Sequence, residues 1–205
     1  MNQIINEKKF IAERTGIPYA NLSQAYLRAE TVLGSLSQYS FQLQGNNVAT
    51  PTITERLLNL NDEFVMTHLT IAVKNVTTAG TVPTDAEQLD APLYTFSPAL
   101  IFTTNVEPVF NSSFSLTIDR KEFLPQFPCR FFKRVPDTQY TATTQPSYTN
   151  GLYGFAPFEP VKIDGRQTIN AVLDLGAAAT MAAAAGSTNY AVLEVRGYLV
   201  VNAKN

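Results

Sequence analysis

Alternation of apolar and polar side chains is the feature that most limits the folds open to this chain. Its clearest case is residues 63–74, where one side carries Val65, Thr67, Leu69, Ile71 and Val73. Because successive side chains of a β-strand point to opposite faces, this period predicts a strand with one apolar face. The same alternation predicts further strands at residues 114–118, 169–175 and 190–201.

The segments between these strands are rich in turn residues and lack the long helical patterns that parallel sheets need as crossovers. We therefore expect a mainly β fold, an antiparallel β-sandwich. The connecting segments 76–91, 138–158 and 175–189 are long for a compact domain. Gly197, inside the last strand, indicates a bulge or a close approach between two backbones.

The N-terminal residues show a different period. Residues 22–33 carry apolar side chains at helical spacing and are followed by Gly34, which predicts an amphipathic helix. A shorter helix is predicted before residues 15–18, where Gly16 and Pro18 would end it. We therefore divide the chain into a helical arm, residues 1–36, and a sandwich domain, residues 37–205.

The chain has one cysteine, one histidine and no tryptophan, which excludes several chemistries. Cys129 has no partner for a disulfide within the chain, and a zinc site needs about four ligands. We expect His68 to be a structural histidine, and no nucleotide-binding or hydrolase motif is found. These observations predict a protein that is not an enzyme and holds no metal or cofactor, although a pair of carboxylates could still converge in the fold.

Charged residues make up 16% of the chain, against about 25% in a typical soluble domain. The net charge of −2 gives no general attraction to nucleic acid or to anionic membranes. The charged N-terminus lacks the apolar stretch of a secretory signal, and no run is apolar and long enough to span a bilayer. We expect synthesis in the cytoplasm, with no transmembrane segment.

Two loops, one with Asp137 as its single charge and one with none, are candidates for contact surfaces. Residues 136–158 are rich in tyrosine and phenylalanine, which give large contact areas at low entropic cost, although they could also cap the sandwich. Residues 176–187 are rich in alanine and could form a short helix, a subunit contact or a loosely packed loop.

A third candidate is the stretch 120–134, which mixes aromatic residues with five of the fifteen basic ones. The basic residues are Arg120, Lys121, Arg130, Lys133 and Arg134. Such a mixture is typical of surfaces that bind single-stranded nucleic acid. A pair of strands with buried phenylalanines and solvated cations explains the same pattern and agrees better with the net negative charge.

Several stretches of the chain resemble the jelly-roll structural proteins of viral capsids, most closely the coat proteins of tailless or accessory phage type. The stretches are the segment 22–33, LNLNDEFVMTHLTIAV, FFKRVPDTQY, and the closing pair FEPVKIDGRQTINAVLDL and YAVLEVRGYLVV. The resemblance covers about residues 20–202 and is one of pattern, without a diagnostic motif. It implies a jelly-roll sandwich that assembles by symmetric contacts between subunits, with the arm reaching its own domain or a neighbour.

The resulting expectation is a capsid subunit, major or accessory, located in the virion and bound to copies of itself and to other virion proteins. Expected subunit contacts are Leu22, Tyr26, Val32, Leu33, Tyr148, Tyr153, Phe155 and Met181. Packaged nucleic acid would face the five basic residues of the stretch 120–134. The alternative is a receptor- or glycan-binding sandwich, an adhesin-like module, that binds through Tyr148, Tyr153 or Phe155.

Overall fold

The structure is a computed structural model, and it describes residues 2–47, 51–78, 82–98, 101–134 and 156–201. Its strands are β1 (Ser23–Val32), β2 (Gln38–Phe41), β3 (Glu63–Thr77), β4 (Ser113–Ile118), β5 (Lys121–Pro128), β6 (Ala156–Asp164), β7 (Ile169–Asp174) and β8 (Ser187–Val200). Its α-helices are α1 (Asn2–Thr15) and α2 (Asp85–Asp90). The strands predicted from alternation at β3, β4, β7 and β8 are confirmed.

The eight strands form two antiparallel sheets of four. Sheet A has the order β1-β8-β3-β6, and sheet B has the order β2-β7-β4-β5. A shared core of apolar side chains lies between the sheets, with Phe64 and Leu193 from sheet A and Phe41 and Phe114 from sheet B almost fully buried. The predicted antiparallel β-sandwich is therefore confirmed.

The predicted helix at residues 22–33 is wrong, because residues 23–32 of this segment form β1. All ten residues of β1 pair with β8, and Leu27 and Ala29 point into the core. The pattern was ambiguous because positions four apart, such as Ala25 and Ala29, share a face both in a helix and in a strand. Leu27, which does not fit the helical stripe, reveals the period of two. Residues 23–32 thus belong to the sandwich and not to a helical arm.

The shorter N-terminal helix is present as α1. It packs on the outer face of sheet A, where the buried Ile11 joins Val65, Tyr198 and Val200 in a small apolar cluster. Arg14 also forms an ion pair with Glu159 on β6. In the single chain, α1 therefore covers its own sheet.

Gly197 lies beside a β-bulge, which agrees with the sequence prediction. The register between β3 and β8 shifts between Met66 and His68, and Met66 pairs with Gly197. A Cβ atom at Gly197 would lie 1.8 Å from the Val65 carbonyl oxygen. The close approach of these backbones therefore requires a residue without a side chain.

The long spacer between β3 and β4 contains α2, which was not predicted. The sequence did carry its signal, a capping box in which Thr84 accepts from the Glu87 amide and the Glu87 side chain accepts from the Thr84 amide. The helix has six residues and lies over β3, where Gln88 is its buried member. This placement brings Gln88 onto the outer face of sheet A.

Candidate functional site: a neutral end and a buried polar cluster

One end of the sandwich is built from segments without a charged side chain. We call it the neutral end, and it consists of residues 32–38, 101–106 and 175–189. Backbone hydrogen bonds of 2.8 Å join its first and third segments, from Met181 to Gly34 and from Leu175 to Ser37. The second segment is held by Thr104, whose hydroxyl donates to the Ala182 carbonyl at 3.0 Å.

The neutral end is uncharged and also partly apolar at its surface. Val32 is 55% exposed and Leu36 is 59% exposed. In the described part of the chain, the segment 176–187 is not helical and exposes Ala177, Ala178, Ala182, Ala184 and Ala185. Asp174 lies at its edge, where the carboxylate accepts hydrogen bonds from the Gln38 side chain and the Gly176 amide. Exposed apolar and small side chains with few charges among them are typical of a surface that another molecule covers.

The structure separates the predicted contact residues into three groups. Tyr26 and Val32 are 48% and 55% exposed on β1, so their role as contacts stays a prediction. Contacts through Leu22, Leu33 and Met181 are not supported, because these side chains are buried in their own chain. The remaining predicted contacts, Tyr148, Tyr153 and Phe155, lie outside the described residues.

The basic stretch 120–134 does not form one continuous patch. Arg120 and Lys121 lie at the start of β5, whereas Arg130, Lys133 and Arg134 follow its end. The two groups lie at opposite ends of β5, which has eight residues and is about 25 Å long. Lys133 also forms an ion pair with Glu107.

Two side chains that follow β5, Phe132 and Cys129, are structural. Phe132 is fully buried, and its ring centroid lies 5.4 Å from that of Phe127. Cys129 is also fully buried, and its desolvation raises the pKa of the thiol to about 11. The Cys129 thiol therefore stays protonated at neutral pH and is unsuited to act as a nucleophile.

His68 lies on β3, and its Nδ1 atom is 2.9 Å from the Thr67 hydroxyl. Together with Glu7, Arg196 and Tyr198 it lines a cavity of about 140 Å³ between α1 and sheet A. Among the described residues, no three histidine, cysteine or acidic side chains are close enough together to hold a metal ion. The structural role of His68 remains a prediction.

A buried polar cluster lies on the outer face of sheet A, at its boundary with α2. The side chains of Lys74 and Glu30 are 0% and 1% exposed, and Lys74 Nζ lies 2.6 Å from Glu30 Oε2. Lys74 Nζ also donates to Gln88 Oε1 at 2.6 Å and to the Thr54 hydroxyl at 3.2 Å. Gln88 Nε2 donates to the Tyr190 hydroxyl at 3.1 Å. A primary amine, a carboxylate and a carboxamide therefore meet away from water.

Burial and charge act in opposition on this cluster. Burial lowers the pKa of Lys74, against the opposing effects of the hydrogen bond and the charge of Glu30. Burial alone would raise the pKa of Glu30, but Lys74, Thr54 and Arg28 outweigh it and lower the pKa. Burial raises the pKa of Tyr190. The carboxylate is thus kept charged, while the charge on the amine is less favourable than in water.

The end of the sandwich opposite the neutral end carries a polar cleft of about 500 Å³. Its lining includes five amide side chains, which are Gln42, Gln44, Asn46, Gln167 and Asn170. Gln44 is buried and donates to the Gly165 carbonyl at 2.8 Å, which fixes the turn between β6 and β7. Among the described residues that line it, Arg166 is the only charged one.

Comparison with protein-family models and with curated proteins finds no match for this sequence. None of the helices in the described residues combines the length and the apolar character that crossing a bilayer requires.

Proposed function

We propose that this chain is a structural subunit of a viral capsid, with a jelly-roll fold, that assembles with copies of itself through the neutral end. The observation that carries the proposal is the strand order. Fold alone does not determine function, so the surfaces described above supply the second part of the argument.

The strand order supports a jelly roll because the pairing follows one rule. The pairs β1 with β8 and β3 with β6 lie in sheet A, while β2 with β7 and β4 with β5 lie in sheet B. A long hairpin of eight strands contains these four pairs, and rolling it up places alternate pairs in opposite sheets. Jelly rolls of this kind are frequent in viral capsid proteins and in lectins.

The neutral end supports assembly between subunits. A capsid repeats the same contacts many times, and a closed shell requires surfaces that exclude water without leaving unpaired charges. Val32 and Leu36 would lie in such contacts, and the alanines of residues 176–187 would allow close approach of backbones. The location in a virion and the contacts with other virion proteins follow from this proposal.

We expect a charge at the neutral end to weaken assembly. In Leu36→Asp, a carboxylate replaces a side chain that is 59% exposed, and desolvating it in a contact would weaken association at least about tenfold. Light scattering and negative-stain electron microscopy over a range of concentrations measure the effect. The matched control is Leu60→Asp at the opposite end, where the leucine is 47% exposed and assembly should be unchanged.

A monodisperse monomer at every concentration of the unaltered chain would contradict the proposal. Equal assembly of the two variants would place the contact elsewhere than at the neutral end. Assembly that requires added single-stranded nucleic acid and weakens steeply with salt would indicate the cations of the stretch 120–134, because binding to phosphates releases counterions.

The polar cleft favours a second candidate, a glycan-binding sandwich. Planar amide groups can bond neighbouring hydroxyl groups of a neutral sugar, and the cleft presents several of them, including Gln42 and Asn170. Saturable binding of a neutral oligosaccharide by a monomer, lost in Asn170→Ala, would favour this candidate over the capsid subunit.

A further inference from the structure

The buried polar cluster brings together the groups needed to form a covalent cross-link. We propose that Lys74 and Gln88 become joined by an isopeptide bond, with Glu30 as the base, so that β3 and α2 are linked covalently. This inference is independent of the proposed function. It rests on the positions of Glu30, Lys74 and Gln88, which belong neither to the neutral end nor to the polar cleft.

The reacting groups are already in contact. Lys74 Nζ lies 2.6 Å from Gln88 Oε1, and Gln88 Cδ is one covalent bond beyond that oxygen. Since a C=O bond is about 1.2 Å long, Cδ lies at most about 3.8 Å from Nζ. Near-attack geometries have reacting atoms about 3 to 3.5 Å apart, so Nζ must move by a few tenths of an ångström, from the carbonyl oxygen toward the face of the carbonyl. Gln88 is 4% exposed and Lys74 is 0% exposed, which holds the pair in place and keeps water from competing.

Burial makes the charged form of the Lys74 amine less favourable than it is in water, which helps the amine reach the neutral form that acts as a nucleophile. Glu30 Oε2 lies 2.6 Å from Lys74 Nζ and can accept its proton. The ring of Tyr190 has its centroid 4.9 Å from the same nitrogen and excludes solvent from one side. Desolvation of an amine beside a carboxylate base is a general way to activate a lysine.

The reaction exchanges one amide for another. Lys74 Nζ passes a proton to Glu30 and attacks Gln88 Cδ, forming the new carbon–nitrogen bond. Glu30 then returns that proton to Gln88 Nε2, the old carbon–nitrogen bond breaks, and ammonia leaves. The second surplus proton of Nζ passes to Glu30, and the departing ammonia carries it away as ammonium. The Tyr190 hydroxyl bonds Nε2 at 3.1 Å and so lies against the leaving group. No oxidant, reductant or metal is required.

The bond would give this chain a covalent restraint that its single cysteine cannot provide within one molecule. It would close the loop from Lys74 to Gln88 and hold α2 on sheet A. Constraining a loop of this size reduces the freedom of the unfolded chain and thereby stabilises the native fold.

The test is the mass of the full-length unaltered protein measured under denaturing conditions. We expect it to lie about 17 Da below the mass calculated from the sequence, because one ammonia is lost. Trypsin cleaves after Lys74 in an unmodified chain but should leave residues 57–120 as a single peptide that carries the loss. A full mass with normal cleavage after Lys74 would overturn the proposal, and this measurement does not depend on any variant folding.

Variants identify the reacting groups. We expect Lys74→Arg and Glu30→Gln to have the full sequence mass, because the first lacks the amine and the second lacks the base. The matched control is Glu55→Gln, which alters a carboxylate that bonds the Glu30 backbone amide at 3.0 Å, and it should keep the cross-link. A cross-link that persists in Glu30→Gln would contradict the role of Glu30.

The position of the mass loss is the second check. An ammonia lost from the tryptic peptide 135–162, which contains the pair Asn150 and Gly151, would contradict the assignment to Gln88.

Discussion

Gly197→Ala should lower the free energy of unfolding by about 3 kcal/mol or more, the upper end of the usual penalty for overpacking. The added Cβ would lie 1.8 Å from the Val65 carbonyl oxygen and 3.1 Å from the Phe64 ring. The obstacle is backbone at the centre of sheet A, so no side-chain rotation can relieve it. Denaturant unfolding monitored by circular dichroism measures the change.

Gly34→Ala is the matched control for this experiment. A Cβ at Gly34 would have no atom within 4 Å, and the residue does not adopt a left-handed backbone conformation. We therefore expect a change within about 0.5 kcal/mol. Equal stability of both variants would show that the bulge between Met66 and His68 does not bring the strands as close as described.

Phe132→Ala should cost about 3 to 5 kcal/mol of folding free energy, because it removes a fully buried ring from the core between the sheets. Its neighbour provides the control. Phe131 is 55% exposed, and Phe131→Ala should cost less than about 1 kcal/mol despite the loss of a ring contact with Phe127 at 5.5 Å. Thermal or denaturant unfolding at one fixed protein concentration provides both values.

This pair also distinguishes the two interpretations of the stretch 120–134. If its aromatic residues were a platform for nucleic acid, the exposed Phe131 would matter for binding and Phe132 would matter little for stability. A small effect of Phe132→Ala on stability would contradict the structural interpretation. A loss of single-stranded DNA binding in Phe131→Ala at low salt would support the nucleic-acid interpretation.

The sequence predicted the class of fold because alternation reports the two faces of a strand directly. It failed at β1, where Ala25 and Ala29 fit a helix and a strand equally well and only the pairing with β8 decides. It missed α2, although Thr84 and Glu87 form a recognisable capping box. In both cases the local pattern was present, but the choice depended on contacts with distant strands.

The neutral end and the buried polar cluster differ in how far the sequence could predict them. The neutral end has a visible signal, since the runs 31–54, 91–106 and 175–193 contain no charge. The buried polar cluster has no such signal in the sequence. Glu30, Lys74 and Gln88 are separated along the chain, and none of them stands out from the residues around it. They come within hydrogen-bond distance because β1 and β3 both pair with β8 in sheet A and because α2 packs on the outer face of that sheet.

The position of β8 has a consequence for the order of folding. It follows the other seven strands in the sequence, yet it lies between β1 and β3 and provides the partner of both. While the ribosome is still adding residues 187–200, β1 and β3 expose unpaired edges, and sheet A has a gap at its centre. Folding of sheet A must therefore wait for the last strand, and such late long-range pairing leaves nascent chains open to aggregation.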